Sequence, residues 1–390
     1  MPRVVFHMNS KLFWIFALSS AVYFTQGIEG LPSQGLFYYL KETLNFSAEK
    51  IMLISSVISF AWLVKPVIGY CVDNCLNKKA WIFIALGLDI ILAFILGLSN
   101  LPLIMLISML IINSTNAAFR DVAVDGIMCV EGKSYNATGK IQSVQWISIS
   151  IATLLTGIGG GLIAEKWGYK AGFLALVPIY ILVGIPAIFY KEDRTAMQCK
   201  IVTTLAADLK KLFSSKQLLI VGLFIFLYKY SPSFGTPLFF IQRDTFKWGK
   251  VWIGWLGTIS TVFSIVGSLL YYKFSQKLAI KKWLFWSVFL GALTTLSYLY
   301  YTPVSAIIYD VVYSFIGMFI FLMIMDFMAR NTMKGLEATS FALLCSISNL
   351  AMVASNLSGA ALLPVVGLKW LIVLSSVASF LCLPLIKRIE

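Results

Sequence analysis

Residues 101–133 read LPLIMLISMLIINSTNAAFRDVAVDGIMCVEGK. The run opens apolar enough for the hydrocarbon of a bilayer. Its inner end then carries Arg120, Asp121 and Asp125 without a turn signal between them. Charges at the centre of a membrane helix cost roughly 2.5–3.5 kcal/mol each on insertion scales, so such residues face a cavity or a partner. Two questions follow: whether the run crosses a membrane, and what its charges meet.

The rest of the chain answers the first. It has 390 residues, 59% hydrophobic and 12% charged. A soluble domain sits nearer 45–50% apolar and about a quarter charged. A helix needs about 20 mostly apolar residues to cross a ~30 Å core. Twelve runs meet that need: 11–40, 49–73, 79–98, 101–129, 139–164, 171–190, 217–241, 251–273, 282–301, 303–329, 338–364 and 368–386. A transmembrane β-barrel would show ~10-residue alternating segments instead. The first run is too long, and too polar in its middle, for a signal peptide's apolar region, and no small-residue cleavage site follows it. The fold class expected is an all-α membrane protein with twelve transmembrane helices in two six-helix pseudo-symmetric bundles.

The formal charge of +14 would suit a nucleic-acid partner, but membrane topology explains it better. With both termini inside, 20 of the 31 Lys and Arg fall on inner segments, 8 on outer ones and three (Lys65, Arg120, Lys229) within helices. Lys191, Arg194, Lys200, Lys210, Lys211 and Lys216 form the largest inner group. The six cysteines show neither CxxC nor metal spacing, and no disulfide is implied. His7 is the only histidine and sits in the N-terminal tail, which argues against a His-based metal or catalytic site. GxSxG, Walker, HExxH and CxxCH motifs are absent, so no enzyme activity and no cofactor are expected. The glycines of GIGGG (157–161) fall within an apolar run and read as close helix packing.

The segment 191–216 divides the runs six and six. This gives an N-terminal bundle over 1–190, a cytoplasmic linker over 191–216 and a C-terminal bundle over 217–390. The halves repeat faintly. Asp125, Ala137 and Thr138 meet Asp326, Ala338 and Thr339 at an offset of 201. Gly160 and Gly168 recur as Gly359 and Gly367 at 199, and NKKAWIF (77–83) resembles AIKKWLF (279–285) at 202. Such an arrangement resembles the major facilitator superfamily, in which two bundles surround a central site exposed alternately to each side.

A closer resemblance lies in YFTQGIEGLPSQGLFYYLKETLNFSAEK (23–50), WLVKPVIGYCVD (62–73), FRDVAVDGIMCVE (119–131), GKIQSVQW (139–146) and GLEATSFALLCSISN (335–349). Together these resemble the folate–biopterin transporter family. The segment DNCLNKKAW (73–81) departs from the family's arginine-rich form, being shorter and lysine-based. The resemblance implies a secondary active transporter for folates or pterins.

Nine charged residues lie inside the runs, away from the charges at their ends: Glu29, Lys65, Asp89, Arg120, Asp121, Asp125, Lys229, Asp310 and Asp326. Seven of them fall on helices 1, 4, 7 and 10, which line the central cavity in the major facilitator architecture. Glu29 is near the middle of helix 1. Lys229 is near the middle of helix 7, beside Pro232, Gly235 and Pro237, which interrupt it. Glu29 and Lys229 read as a substrate-site pair or as a salt bridge clamping the halves. Asp121 and Asp125, at i and i+4, share a helix face, and two such carboxylates disfavour double ionisation. That suits proton coupling, which Arg120 and Lys65 would oppose. Arg120, Asp121, Asp125, Lys65 and Asp73 read either as a proton or substrate site or as a cytoplasmic gate. Asp326 is matched with Arg330 one turn on, Asp310 with an outer gate or the site, and Asp89 with a buried hydrogen-bonding role or a contact to Lys65.

Among polar residues in apolar runs, Gln142 and Gln145 flank Trp146, whose ring suits stacking on a flat heterocycle. For a folate, Lys229, Arg120 or Lys65 would bind carboxylate, and Glu29 would bind the aminopyrimidine edge. The coupling ion expected is the proton, since neither a sodium cage nor a nucleotide motif is suggested. The alternative is a transporter of this fold for another small organic solute: a nucleoside-like metabolite, a sugar or a drug. The chain is expected to act as a monomer in the lipid bilayer of a bacterial cytoplasmic membrane, both termini cytoplasmic.

Overall fold

The computed structural model describes residues 10–46, 48–192 and 201–388. His7, Arg194, Cys199 and Lys200 lie outside the described residues. Nearly everything described is helix. The chain divides into two compact units, Met1–Thr203 with Lys334–Thr339, and Thr204–Met333 with Ser340–Glu390. The division falls inside 191–216, and a short segment of the second half belongs with the first unit.

The first unit contains α1 (Ser10–Ile28), α2 (Ser33–Tyr38), α3 (Ala48–Ser59), α4 (Lys65–Asn74), α5 (Lys78–Leu98), α6 (Leu103–Ser134) and α7 (Thr138–Phe189). The second contains most of α8 (Ile201–Ser214), then α9 (Lys216–Lys229), α10 (Gly235–Phe240), α11 (Lys250–Phe274), α12 (Ile280–Thr295), α13 (Pro303–Arg330), α14 (Glu337–Ser379) apart from its first residues Glu337–Thr339, which belong to the first unit, and α15 (Leu383–Ile386). Seven of the helical stretches are each long and apolar enough to cross a membrane. The other expected runs are built from shorter helices that meet at breaks.

The breaks have local causes. Run 11–40 stops at Ile28 and resumes at Ser33, with Gly30 and Pro32 between. Run 217–241 stops at Lys229 and resumes at Gly235, with Pro232 between. Within α7 and α14, Gly168 (φ 72°, ψ −176°) and Gly367 (φ 73°, ψ 167°) each end one helix and begin the next. That backbone region is open to glycine alone.

The repeat is written in the backbone. A π-helical turn at Tyr39–Thr43 follows α2, and another at Ile241–Thr245 follows α10, 202 residues later. Each is followed by a left-handed residue, Asn45 (φ 51°) and Lys247 (φ 59°), again 202 apart. The Thr156 hydroxyl donates to the Gly27 carbonyl in one unit, and the Ser355 hydroxyl donates to the Ser231 carbonyl in the other.

Close packing sets where the charged helices sit. A Cβ on Gly27 would stand 2.6 Å from the Ala152 Cβ, so α1 and α7 approach at backbone distance. One expectation is corrected. Cys75 is disulfide-bonded, whereas Cys71, Cys129, Cys345 and Cys382 form no disulfide.

Candidate functional site

The charges of α6 meet separate sets of partners in the first unit. Arg120 is fully buried. Its guanidinium donates to the Glu29 carboxylate, forms an ion pair with Asp89 and lies over the Tyr180 ring at 5.6 Å. Tyr180 OH donates to Glu29 Oε1 at 3.0 Å. Asn116 Nδ2 donates to Asp89 Oδ1 at 2.6 Å and to the Ala85 carbonyl at 2.7 Å. One cation thus serves two carboxylates, and each carboxylate has a second donor. Such extra bonds offset the desolvation of buried charge. Exposure separates the two acids: Asp89 is sealed, while Glu29 keeps 15% of its side chain exposed.

Asp121, one residue on, points elsewhere. It takes the Lys65 ammonium and the Gln26 amide, with Lys65 Nζ 4.5 Å from the Trp62 ring centroid. Lys65 opens α4 with Pro66 in the first turn, where its missing N–H costs nothing. Asp89 was matched with Lys65 as one option. The structure gives Lys65 to Asp121 and Asp89 to Arg120 and Asn116.

Asp125 is different in kind. It is buried, and it accepts from Tyr23 OH at 2.8 Å and from Gln145 Nε2 at 3.5 Å. Among the described residues no basic group lies within ion-pair distance of it. The Tyr23 ring meets the Trp146 ring edge-on at 6.2 Å. Gln142 and Gln145 are fully buried on α7, and the side-chain carbonyl of each lacks a hydrogen-bond partner among the described residues. Asp125, Gln145, Tyr23 and Trp146 therefore form one buried cluster, in which the Gln145 carbonyl is a spare acceptor among the described residues.

Nearer the end of α6, Glu131 pairs with Lys11 at 2.8 Å and accepts from Tyr190 OH at 3.0 Å. Asp73 closes α4 and caps α14. It accepts from the backbone N–H of Ala338 (3.2 Å) and Thr339 (2.7 Å) and from the Thr339 hydroxyl (2.7 Å), with Lys78 at 3.4 Å. A carboxylate there satisfies orphan N–H groups and meets the positive end of the helix dipole. A Cβ on Gly69 would stand 2.8 Å from the Ala338 carbonyl, which fixes the approach.

In the second unit Asp326 accepts two bonds from Arg330, at 3.0 and 2.9 Å, and one from Tyr271 OH at 2.8 Å. The half-buried Asp310 carboxylate makes neither a hydrogen bond nor an ion pair among the described residues. Lys229 lies 5.2 Å from the Phe321 ring centroid and lines a cavity of about 760 Å³. Glu29 belongs to the first unit and Lys229 to the second, each with its own surroundings.

Three participants escaped sequence reading. Tyr180 and Tyr271 stand in apolar runs where a phenol reads as core. Lys11 stands at a helix start where it reads as a solvated charge. A tyrosine well inside a membrane run was the available signal, because its hydroxyl needs a partner there.

The model of the BT1 family matches residues 26–389. The folate-biopterin transporter of Synechocystis sp. is 24% identical over 95% of this chain and 81% of its own length. Probable folate-biopterin transporter 5 of Arabidopsis thaliana is 25% identical over 94% and 82%, and folate transporter 1 of Plasmodium falciparum is 23% identical over 90% and 73%. Among solved structures, the major facilitator superfamily transporter FucP in its outward conformation superposes with a TM-score of 0.73 at 13% identity, over 96% of this chain and 98% of that one. The human organic anion transporter MFSD10 gives 0.69 at 15%, over 97% and 99%. The structural likeness shows the fold, a multi-pass major facilitator bundle, and the family is the one expected from the quoted stretches. With its model matched along nearly the whole length, the chain belongs to the BT1 family.

Proposed function

We propose that this chain is a secondary active transporter that moves a folate or pterin-like solute by alternating access, coupled to protons. The observation that carries the reading is the shared guanidinium of Arg120. It has one sealed carboxylate, Asp89, and one partly exposed carboxylate, Glu29. A cation held this way has a permanent partner and an exchangeable one. Protonation of Glu29 weakens its hold on Arg120 and frees that face of the guanidinium for a substrate carboxylate. Asp125, buried without a basic partner, is the second proton candidate. The names of the relatives supply the substrate class.

Glu29, Arg120, Gln142, Gln145 and Trp146 are the contacts offered by the first unit, and Lys229 the one offered by the second. Asp121, Lys65, Asp73, Asp310 and Asp326 act in gating or proton handling. Asp73 is the gate residue best supported, since its release would uncap α14. The protein works as a monomer in the lipid bilayer of a bacterial cytoplasmic membrane, with both termini inside.

The test is tryptophan quenching of purified protein by folate, a reduced folate, biopterin and S-adenosylmethionine at two pH values. Saturable quenching by a folate or pterin, stronger at the lower pH, supports the reading. A folded protein that answers to none of them contradicts the substrate.

A further inference from the structure

The duplicated halves differ at one place that matters. In the first unit α5 and α6 enclose a crevice of about 280 Å³ lined by Trp81, Ala85, Leu88, Asn116 and others. Applying the offset of 202 to α5 and 201 to α6 carries its nine lining residues onto α12 and α13. All nine counterparts line the cavity of about 760 Å³ in the second unit. It is the same crevice, enlarged.

Asn116 lines the first crevice, and Asp89 and Arg120 stand one turn on from its lining residues Ala85 and Asn116. At those offsets Asp89 corresponds to Gly291, Asn116 to Gly317 and Arg120 to Phe321. The buried polar plug of the first unit has become two glycines and an apolar ring. A Cβ at Gly291 or at Gly317 would meet nothing within 4 Å. The remaining member, Glu29, falls at 202 on Ser231, and two residues before that stands Lys229. An acid has been exchanged for a base, and the arginine and aspartate that neutralised each other are gone.

What remains is a space with one charge. Lys229 makes no hydrogen bond and no ion pair among the described residues, and its ammonium lies 5.2 Å from the Phe321 ring centroid. Aromatic side chains dominate the walls, among them Tyr228, Trp283, Trp286 and Tyr313. Hydroxyls of the lining are used internally: Ser287 donates to the Leu284 carbonyl and Tyr309 to the Ser297 carbonyl. A lone ammonium in such surroundings is costly without an anion. The volume lies within the about 300–1,000 Å³ of small-molecule sites.

We propose that the second unit holds its own binding site for a planar aromatic carboxylate, between α12 and α13, with Lys229 as the charge anchor. Aromatic walls favour a flat ring, and the single cation favours one carboxylate. The site shares Lys229 with the proposed solute contacts and uses no residue of the Glu29–Arg120 cluster.

The experiment uses full-length protein in nanodiscs of phosphatidylcholine, which offers no net anionic headgroup. The probe is 2-naphthoate, read by quenching of the tryptophans, two of which line the cavity. Its neutral isostere 2-naphthamide is the control. Wild type should bind 2-naphthoate saturably and the amide far more weakly. K229Q should weaken naphthoate binding by about tenfold or more, and K229R should largely restore it. G291L and G317L each place a side chain in open space, retain Lys229 and should also weaken binding. Two glycine variants guard against one failing to fold, and monodisperse elution verifies each. Unchanged affinity in K229Q and in a folded glycine variant would overturn the proposal. So would absence of saturable binding to wild type, or a site that phosphatidylglycerol saturates and 2-naphthoate does not.

Discussion

Arg120 and Asp89, 31 residues apart on α6 and α5, form an ion pair sealed from solvent. Asn116 completes the Asp89 side at 2.6 Å and Glu29 completes the Arg120 side. The pair lies inside a bundle where neither charge can reach water, so it behaves as a fixture on which Glu29 can be exchanged.

Removing Asp89 from that fixture leaves buried donors without an acceptor. Asp89→Ala is expected to destabilise the first unit by about 1–3 kcal/mol, because the buried donors of Asn116 and Arg120 lose an acceptor while Arg120 keeps Glu29. Thermal unfolding in nanodiscs measures it. Glu29→Gln keeps hydrogen-bonding capacity and a partly exposed position, so its unfolding temperature should stay close to wild type while coupling is lost. Equal destabilisation by both variants would contradict the division into fixed and exchangeable partners.

Asp125→Asn separates proton handling from substrate exchange. The asparagine carbonyl still accepts from Tyr23 at the same place, so the fold is retained. Counterflow exchange of labelled substrate between two sides at equal pH should persist. Accumulation driven by a pH gradient should fall at least about tenfold. Loss of both activities to the same extent would make Asp125 a structural or substrate contact.

Asp73→Ala removes an N-terminal cap from α14, worth about 0.5–2 kcal/mol. Asp73→Asn retains acceptor capacity and should recover part of that loss. Thr339→Val removes only the side-chain bond and should cost less than Asp73→Ala. Thermal unfolding of the three variants orders them, and any other order would mean that the cap is not what holds α14.

Gly168→Ala and Gly367→Ala place a Cβ on a backbone open to glycine alone. Neither Cβ would meet an atom within 4 Å, so the cost is backbone strain without a clash. Each substitution should cost about 1–3 kcal/mol. The two costs should match, because the two breaks share their geometry.

The membrane-spanning pattern and the duplication were legible because apolar runs need only composition to declare themselves. The break after Lys229 was also legible, since Pro232, Gly235 and Pro237 announce it. The matching break after Ile28 was announced by Gly30 and Pro32 yet lay hidden inside a long apolar run. Which charges matter could be read from their cost in lipid, whereas pairings could not. Glu29 and Tyr180 are 151 residues apart, and Gln26 and Asp121 are 95 apart. Adjacent residues also part company: Arg120 and Asp121 follow each other and serve different clusters, because successive side chains on a helix point about 100° apart.

The most direct measurement of the central claim is accumulation of labelled folate in proteoliposomes with an imposed pH gradient. Wild type should concentrate folate above the level reached when an ionophore collapses the gradient, and Glu29→Gln should reach only the collapsed level. Wild-type uptake indifferent to the gradient, or no uptake of any folate or pterin by protein that folds normally, would contradict the account.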